Sequence, residues 1–301
     1  MSSLPLSEKP LTGGGEALGQ PIRGPRALDE SWSRFWHLAY NIARSEFKLK
    51  FFGSVLGYVW QVMRPLLLFG VLYVVFVVIF HIDKAKGAAA HHYGAQLLGS
   101  VVLFTFFGEA TGGAVRSVVD RENLVRKIQF PRLAIPISVV LLALFNLALN
   151  LVVVMIFALA EGVRPMWSWL ELPLIILMLT VLTTGVSMLL SALFVRFRDI
   201  SPIWEVLSQI LFYASPVIIP SETVRSELGA HSLLYHLYTL NPLVAIFQQF
   251  RHAMINRSTF SAGQLMGSWV DLIEPLALVA LICVLGFWVF NRQAPHIAED
   301  L

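Results

Sequence analysis

The stretch LAIPISVVLLALFNLALNLVVVMIFALA occupies residues 133–160 and contains no charged side chain. A second uncharged run, LPLIILMLTVLTTGVSMLLSALFV, follows at residues 172–195. Each run exceeds the roughly 20 apolar residues that a helix needs to cross the hydrocarbon core of a bilayer. A soluble helix keeps one polar face, whereas these two runs are apolar all round. The chain is therefore a membrane-embedded protein.

Similar apolar stretches on either side of this pair extend the pattern through most of the chain, 56% of which is hydrophobic. They predict an all-α polytopic membrane protein with six transmembrane helices. The segment 202–220 is the weakest of the six because Glu205 and Pro216 interrupt it. The predicted spans are residues 57–82, 94–115, 133–160, 172–195, 202–220 and 272–291.

The placement of lysine and arginine predicts the orientation. With the N-terminus in the cytoplasm, 16 of the 22 basic residues lie on the inner side, as the positive-inside rule requires. We therefore expect a multi-pass protein of the cell inner (plasma) membrane with both termini cytoplasmic; four spans are the alternative. Residues 1–31 are predicted to be a flexible cytoplasmic tail, and residues 293–301 a cytoplasmic C-terminal tail.

Residues 32–50 predict an amphipathic helix lying in the cytoplasmic interface, because aromatic and basic residues segregate onto opposite faces. Its apolar face is broken once, by Glu46. The helix either anchors the first span only, or also docks a partner. The residues that define its faces are Trp32, Phe35 and Trp36 on the apolar side and Arg34 and Arg44 on the basic side.

The inner loop 116–132 predicts a short amphipathic helix of its own. Asp120 suits an N-cap position, and Pro131 prevents simple continuation into the next span. An apolar stripe on the aqueous side is typical of a docking helix; a charged linker along the headgroups is the alternative. The predicted docking residues are Asp120, Arg121, Glu122, Asn123, Leu124, Val125, Arg126 and Lys127.

The outer region 221–268 is too polar to span twice and too apolar for a solvated loop. Two short helix-like pieces are separated by Asn241 and Pro242. They predict outer re-entrant helices, a geometry tolerated at membrane depth where protein or a water-filled cavity covers the backbone. An ordinary outer cap is the alternative.

The chain shows no catalytic motif and no metal site. Glu109 and Glu205 stand in apolar segments near a membrane end. We expect Glu109 either to face a pore or to lie buried against a backbone group. His91 and His92 are adjacent, so they do not share a helical face and do not predict a metal site. We expect no nucleic-acid partner.

Nucleotide hydrolysis is also absent from the sequence. No lysine follows a glycine, so there is no Walker A loop to cradle phosphate. The middles of 133–160 and 172–195 hold neither acid nor base, which disfavours an ion-driven carrier. We expect no cofactor in this chain, and we expect uphill transport to be driven by an ATPase on a separate chain.

Five short motifs follow one another along the chain in the order in which they occur in a known family. They are FGSVLGYVW at 52–60 with RPL at 64–66, NLVRKIQFP at 123–131, RFRDI at 196–200, SPVIIP at 215–220 and LNPL at 240–243. Together they resemble the type-2 ABC exporter permeases of cell-surface polysaccharides, the O-antigen, capsule and teichoic-acid export permeases. The resemblance covers about residues 30–292.

The resemblance implies that residues 32–292 form an ABC-2 type transmembrane domain. Two copies would pair as a homodimer around one channel, in contact with membrane lipids. Two copies of a separate ABC ATPase, carrying ATP-Mg, would bind a coupling helix at about 118–130, beside the interface helix. The substrate would be a lipid-linked glycan such as an O-antigen, capsule, galactan or teichoic-acid-like polymer.

The resemblance also implies roles for individual side chains. The outer helices at about 232–255 would help gate the exit. The candidate channel-lining residues are Trp60, Phe104, Phe106, Phe107 and Tyr213, and the candidate outer-gate residues are Tyr235, Tyr238, Asn241 and Pro242.

Two other functions stay open. One is an ABC-2 exporter of a small amphiphile, drug or lipid. The other is a membrane enzyme or scaffold that acts on lipid-linked sugars, although the sequence offers no clustered carboxylates for such chemistry.

Overall fold

A computed structural model describes residues 32–51, 55–81, 92–122, 130–230, 232–255, 257–268 and 270–294, and the regular structure in these ranges is helical. This confirms the all-α prediction. The α-helices in chain order are α1 (Trp32–Phe51), α2 (Val55–Tyr73), α3 (Tyr93–Asp120), α4 (Ala134–Ala160), α5 (Leu172–Arg196), α6 (Ile200–Ala214), α7 (Ser221–Leu228), α8 (Leu233–Leu240), α9 (Pro242–Met254), α10 (Ala262–Met266) and α11 (Ile273–Gln293).

Five helical segments in the described ranges are long and apolar enough to cross a membrane. They correspond to five of the six predicted spans. A π-helical stretch prolongs α2, and a 3₁₀ turn precedes α5. The five segments are Val59–Ile79, Tyr93–Asp120, Ala134–Ala160, Trp167–Arg196 and Ile273–Gln293.

The segment predicted to be a span at 202–220 differs from the other five. Its helix, α6, has only 15 residues and is therefore about 22 Å long, short of the roughly 30 Å hydrocarbon core. The backbone of residues 215–220 is not helical. The physical reason is Pro216, which has no N–H to donate into a continuing helix.

Residues 200–218 nevertheless run along the full length of α3. Three contacts at successive levels show this, with separations of 3.2 Å for a hydrogen bond, 5.1 Å between ring centroids and 2.7 Å for a second hydrogen bond. This stretch therefore traverses the bundle as a short helix completed by non-helical backbone. The contacts, from the Asp120 end of α3 to its Tyr93 end, are Arg116 with Ser201, Phe104 with Phe212 and Tyr93 with the carbonyl of Ile218.

The first and last described helices meet at one end of the bundle. Phe35 of α1 and Phe290 of α11 are buried in the same apolar cluster as Val118 of α3. The buried Arg132 donates to the carbonyl of Ala294, just beyond α11, and so satisfies a carbonyl at the helix end. Both ends of the described chain therefore lie on the same side.

At the opposite end, α4 caps α3. His92 precedes α3 with a φ of 55° and provides no side-chain cap. The Glu161 carboxylate instead accepts a hydrogen bond of 2.9 Å from the Ala95 N–H, a favourable place for a negative charge. Gly94 makes room for this carboxylate, because a Cβ there would lie 2.0 Å from its Oε1.

Helices α5 and α11 cross in close contact at two glycines. A Cβ on Gly286 would lie 2.4 Å from the carbonyl oxygen of Gly185, and a Cβ on Gly185 would lie 2.8 Å from the sulfur of Cys283. The Cys283 thiol donates to the Val181 carbonyl at 3.2 Å. Small residues of this kind let membrane helices approach closely enough for backbone contact.

We expect Gly286→Ala to destabilise the protein by about 1–3 kcal/mol, because the atom that a new Cβ would meet is backbone and cannot rotate away. The matched control is Gly70→Ala on α2, where no atom lies within 4 Å of the added methyl group and alanine favours the helix. Fluorescence-detected gel filtration after heating measures both midpoints. Equal midpoints for the two variants would show that the crossing tolerates a side chain.

Candidate functional site: a lateral groove

A groove of about 660 Å³ opens on the side of the bundle between α2, α3 and α6. Gly108 and Gly112 lie one turn apart on the floor, and Leu68 of α2 forms part of one wall. Helix α6 forms the opposite wall. The remaining lining residues are Phe104, Thr105, Trp204, Glu205, Val206, Ser208, Gln209, Phe212 and Tyr213.

The α6 wall combines aromatic rings with hydrogen-bonding groups. Glu205 and Gln209 are four residues apart and both exposed, so they share one face of the helix. Trp204 donates its indole N–H to Thr111 at 3.2 Å, which fixes α6 against α3. Aromatic faces beside carboxylate and amide groups suit an amphiphilic ligand that carries hydroxyl groups. A surface of this kind can bind such a ligand and guide it along α6.

The predicted channel-lining residues divide into three groups. Phe104 and Tyr213 line the groove. Trp60 is exposed on α2 outside the lining. Phe106 and Phe107 are each only 2% exposed and pack in the core, which corrects their expected position. Their helix turns them away, because residues 104, 108 and 112 of α3 share the groove face at a spacing of four.

Sequence reasoning missed Trp204, Phe212 and Gln209, which belong to the groove. A signal for them was present in the predicted span 202–220. Glu205 and Gln209 recur at helical spacing within an otherwise apolar segment, a pattern that indicates one polar face.

Behind the groove, Glu109 ties three helices together. Its carboxylate accepts hydrogen bonds from Gln61 of α2 at 3.2 Å and from Asn146 of α4 at 3.3 Å, and Arg64 lies 3.9 Å away. Glu109 therefore sits near the middle of α3 and has side-chain partners, unlike the two expected arrangements. The cluster holds the groove floor against α2 and α4.

Arg251 of α9 organises the outer end of the molecule. Although it belongs to the outer region 221–268, its side chain is only 1% exposed. It donates to the carbonyls of Pro216 and Val217, the latter at 3.1 Å, and to the hydroxyl of Ser100 at 3.2 Å. Burial lowers the pKa of Arg251 and the nearby Glu222 carboxylate raises it; the guanidinium stays charged in proteins.

Two predicted gate residues, Tyr235 and Tyr238, hold α8 in place. The Tyr235 hydroxyl donates to the Leu265 carbonyl at 2.7 Å, and the Tyr238 and Ser221 hydroxyls are 3.1 Å apart. Burial raises the pKa of Tyr238 to about 12. Its hydroxyl is therefore protonated at neutral pH and keeps this hydrogen bond.

The other two predicted gate residues shape the start of α9. The Asn241 side chain accepts a hydrogen bond from the Leu243 N–H at 3.0 Å and donates to Ser215 at 3.1 Å. Pro242 is the first residue of α9 and is buried. Asn241 thus caps one helix and ties it to the non-helical end of α6.

The predicted coupling residues lie at the opposite end of α3. Asp120 is the exposed last residue of α3; most of the following helix that it was predicted to cap lies outside the described residues. Arg121 pairs with Glu46 of α1, and Glu122 is half-buried. The others, Asn123, Leu124, Val125, Arg126 and Lys127, lie outside the described residues.

The interface helix α1 packs through a narrower stripe than its sequence predicted. Phe35 is buried, whereas Trp32 and Trp36 are exposed. Arg34 and Arg44 are exposed on the other face. Glu46, which broke the predicted apolar face, forms the ion pair with Arg121. Helix α1 is thereby bonded to the segment that leads into the predicted coupling helix.

Fold and groove together define a polytopic α-helical membrane protein of the permease class, with a lateral amphiphilic groove. A family model described as ABC-2 type transporter matches residues 38–255, and the chain belongs to this family.

Two relatives align along almost the whole chain. The O-antigen export system permease protein RfbA of Myxococcus xanthus is 26% identical over 268 residues, which cover 88% of this chain and 95% of the relative. The protein of the same name from Klebsiella pneumoniae is 24% identical over 261 residues, covering 86% and 93%.

We expect Arg251→Met to lower the thermal midpoint of unfolding. The buried carbonyls of residues 216 and 217 lose their hydrogen-bond donor, which costs about 1–3 kcal/mol of stability for each carbonyl. Arg257→Gln, at an exposed arginine of the outer region, is the control and should leave the midpoint unchanged. Limited proteolysis from the outer side should cut the Arg251→Met variant faster near residue 217. A variant as stable and as resistant as the parent would contradict the assigned role of Arg251.

We expect Glu46→Arg and Arg121→Glu each to weaken the attachment of α1, since each places like charges together in a half-buried contact. The double variant restores opposite charges with their positions exchanged. Hydrogen exchange of residues 32–51 measures the attachment. Protection should fall in both single variants and recover in the double variant; no recovery would show that the ion pair does not hold α1.

Proposed function

We propose that the chain is the transmembrane permease subunit of an ATP-driven exporter that moves a lipid-linked polysaccharide of the O-antigen class across the inner membrane. The observation that carries this proposal is the alignment with O-antigen export permeases over more than four-fifths of the chain. The groove supports it, because its aromatic and hydroxyl-bonding lining suits sugars attached to a lipid.

The groove is open on one side, so a single copy provides half of an enclosed path. We propose that two copies form a homodimer with their grooves facing one another. A symmetric pair of this kind presents the same surface twice and closes after two subunits. Membrane lipids would cover the remaining apolar surface.

The energy would come from two copies of a separate ABC ATPase, which hold ATP-Mg. The absence of a Walker A lysine in this chain supports this division of labour. The ATPase would push the segment after α3, and the Glu46–Arg121 ion pair would pass the displacement to α1. This chain would itself catalyse no reaction.

The end of the bundle that holds α1, Arg132 and Ala294 would face the cytoplasm, which places both termini inside. The concentration of basic residues at this end supports that orientation. The membrane would be the cell inner membrane, where ATP is available on one side only.

Deletion of the gene for this chain tests the proposed cargo. Surface polysaccharide should disappear while polymer linked to a lipid carrier accumulates inside the cell. Loss of a small amphiphile or drug from the medium, with surface polymer intact, would favour the alternative exporter. An ATPase that copurifies with the tagged chain would exclude a stand-alone membrane enzyme or scaffold.

We expect the double variant Glu122→Ala/Arg126→Ala to reduce export about 5- to 150-fold, as follows when a coupling free energy of about 1–3 kcal/mol is lost. Insertion and basal ATP hydrolysis by the complex should persist. The measurement compares polymer export per ATP hydrolysed in proteoliposomes. Glu227→Ala on the outer helix α7 is the control, and normal export by the double variant would refute the coupling role.

A further inference from the structure

Arg64 of α2 is a charged residue on a surface that should face lipid in a single copy. Its side chain is 72% exposed, and Glu109 lies 3.9 Å from one of its nitrogens. Leu68, one turn further along α2, lines the groove, so Arg64 lies on the groove side of that helix. A guanidinium facing hydrocarbon is costly, and this position therefore calls for an acidic or aqueous neighbour.

Glu205 presents the opposite charge on the other wall. It is exposed on α6, lines the groove and forms no ion pair with the rest of the described chain. Gln209 extends the same face, which makes it unsuited to lipid. Within the described chain, Glu205 is thus unpaired, and the exposed Arg64 has a single carboxylate neighbour, Glu109, at 3.9 Å.

Both charges stand at one depth along α3. Arg64 is level with Glu109, which it approaches, while Glu205 follows Trp204, whose indole N–H bonds to Thr111 of α3. These α3 residues are successive positions within about one turn. Arg64 is the sixth residue of the apolar segment Val59–Ile79, and Glu205 is the sixth residue of α6, so each charge lies about 7–8 Å inside the start of its helix.

Symmetry decides which walls meet when two grooves face each other. A two-fold axis along the groove exchanges the left and right walls of the second copy. Helix α2 of one copy therefore faces α6 of the other, on both sides of the enclosed path. Charges at equal depth on α2 and α6 then meet across each seam.

Resting on the homodimer of the proposed function, we propose that Arg64 of one copy forms an ion pair with Glu205 of a second copy. The pair occurs twice, once in each seam, and sets the register and orientation of the dimer. Arg64 then lies between its own Glu109 and the carboxylate of the second copy, so that the exposed Glu205 gains a cationic neighbour.

Cysteine crosslinking in native membranes tests the geometry. The chain has a single cysteine, so a Cys283→Ser background leaves only introduced thiols. Two differently tagged copies are coexpressed with the partner ATPase, one carrying Arg64→Cys and the other Glu205→Cys. A short bifunctional thiol reagent should give a crosslinked dimer that contains both tags, because the two long side chains of an arginine–glutamate pair hold the Cα atoms too far apart for a direct disulfide.

The controls separate three outcomes. Copies that both carry Arg64→Cys should not crosslink, since symmetry keeps the two α2 helices apart. Crosslinks between these copies alone, or dimers by mass with no mixed-tag crosslink, would overturn the proposed pair and leave the exporter intact. A chain that is monomeric in membranes would overturn both the pair and the homodimer.

The second test removes the charges of the proposed pair and introduces no cysteine. Glu205→Gln should raise the dimer dissociation constant about tenfold or more, while Glu227→Gln, at an exposed acid outside the groove, should not change it. Adding Arg64→Gln to Glu205→Gln should weaken the dimer no further than either single change. Additive losses would show that the two residues act independently and would overturn the pair.

Discussion

Every backbone carbonyl at membrane depth needs a donor from within the protein, and the outer end of α6 meets this requirement through side chains. Pro216 ends the helical pattern, and the carbonyls of residues 216–218 accept hydrogen bonds from Arg251 and Tyr93. The buried guanidinium makes a short, interrupted span tolerable. Arg251 lies on the outer helix α9 and bonds to Ser100 of α3 and to residues 216 and 217 beyond α6, so all three parts depend on that arrangement.

Much of the fold could be predicted from the length of the uncharged apolar runs alone. The runs 133–160 and 172–195 leave no alternative to membrane helices, and the structure has both. The interruption of the sixth span was visible at Pro216, but the partner that compensates it was not. Arg251 lies 35 residues away in sequence, and a local pattern gives such an arginine the appearance of an ordinary outer charge. Its burial is a property of tertiary packing.

The aromatic character of the groove could be predicted, but not which aromatic residues line it. Aromatic residues were expected along the path, and Phe104 and Tyr213 line it. Phe106 and Phe107 instead pack in the core, because the glycines at 108 and 112 set which face of α3 is open. Glu46 shows the same limit. As a lone break in an apolar face it had no explanation until α3 brought Arg121 beside it.

The glycine contact between α5 and α11 makes one side of the molecule more rigid than the other. Where the backbones of two helices touch, as at Gly185 and Gly286, steep repulsion opposes the sliding of one helix past the other. The two helices therefore move as a rigid unit. Helix α2 buries little of its surface within the described chain. The α5–α11 pair is therefore the more rigid side of the molecule, and the α2 side has less packing to lose when it moves.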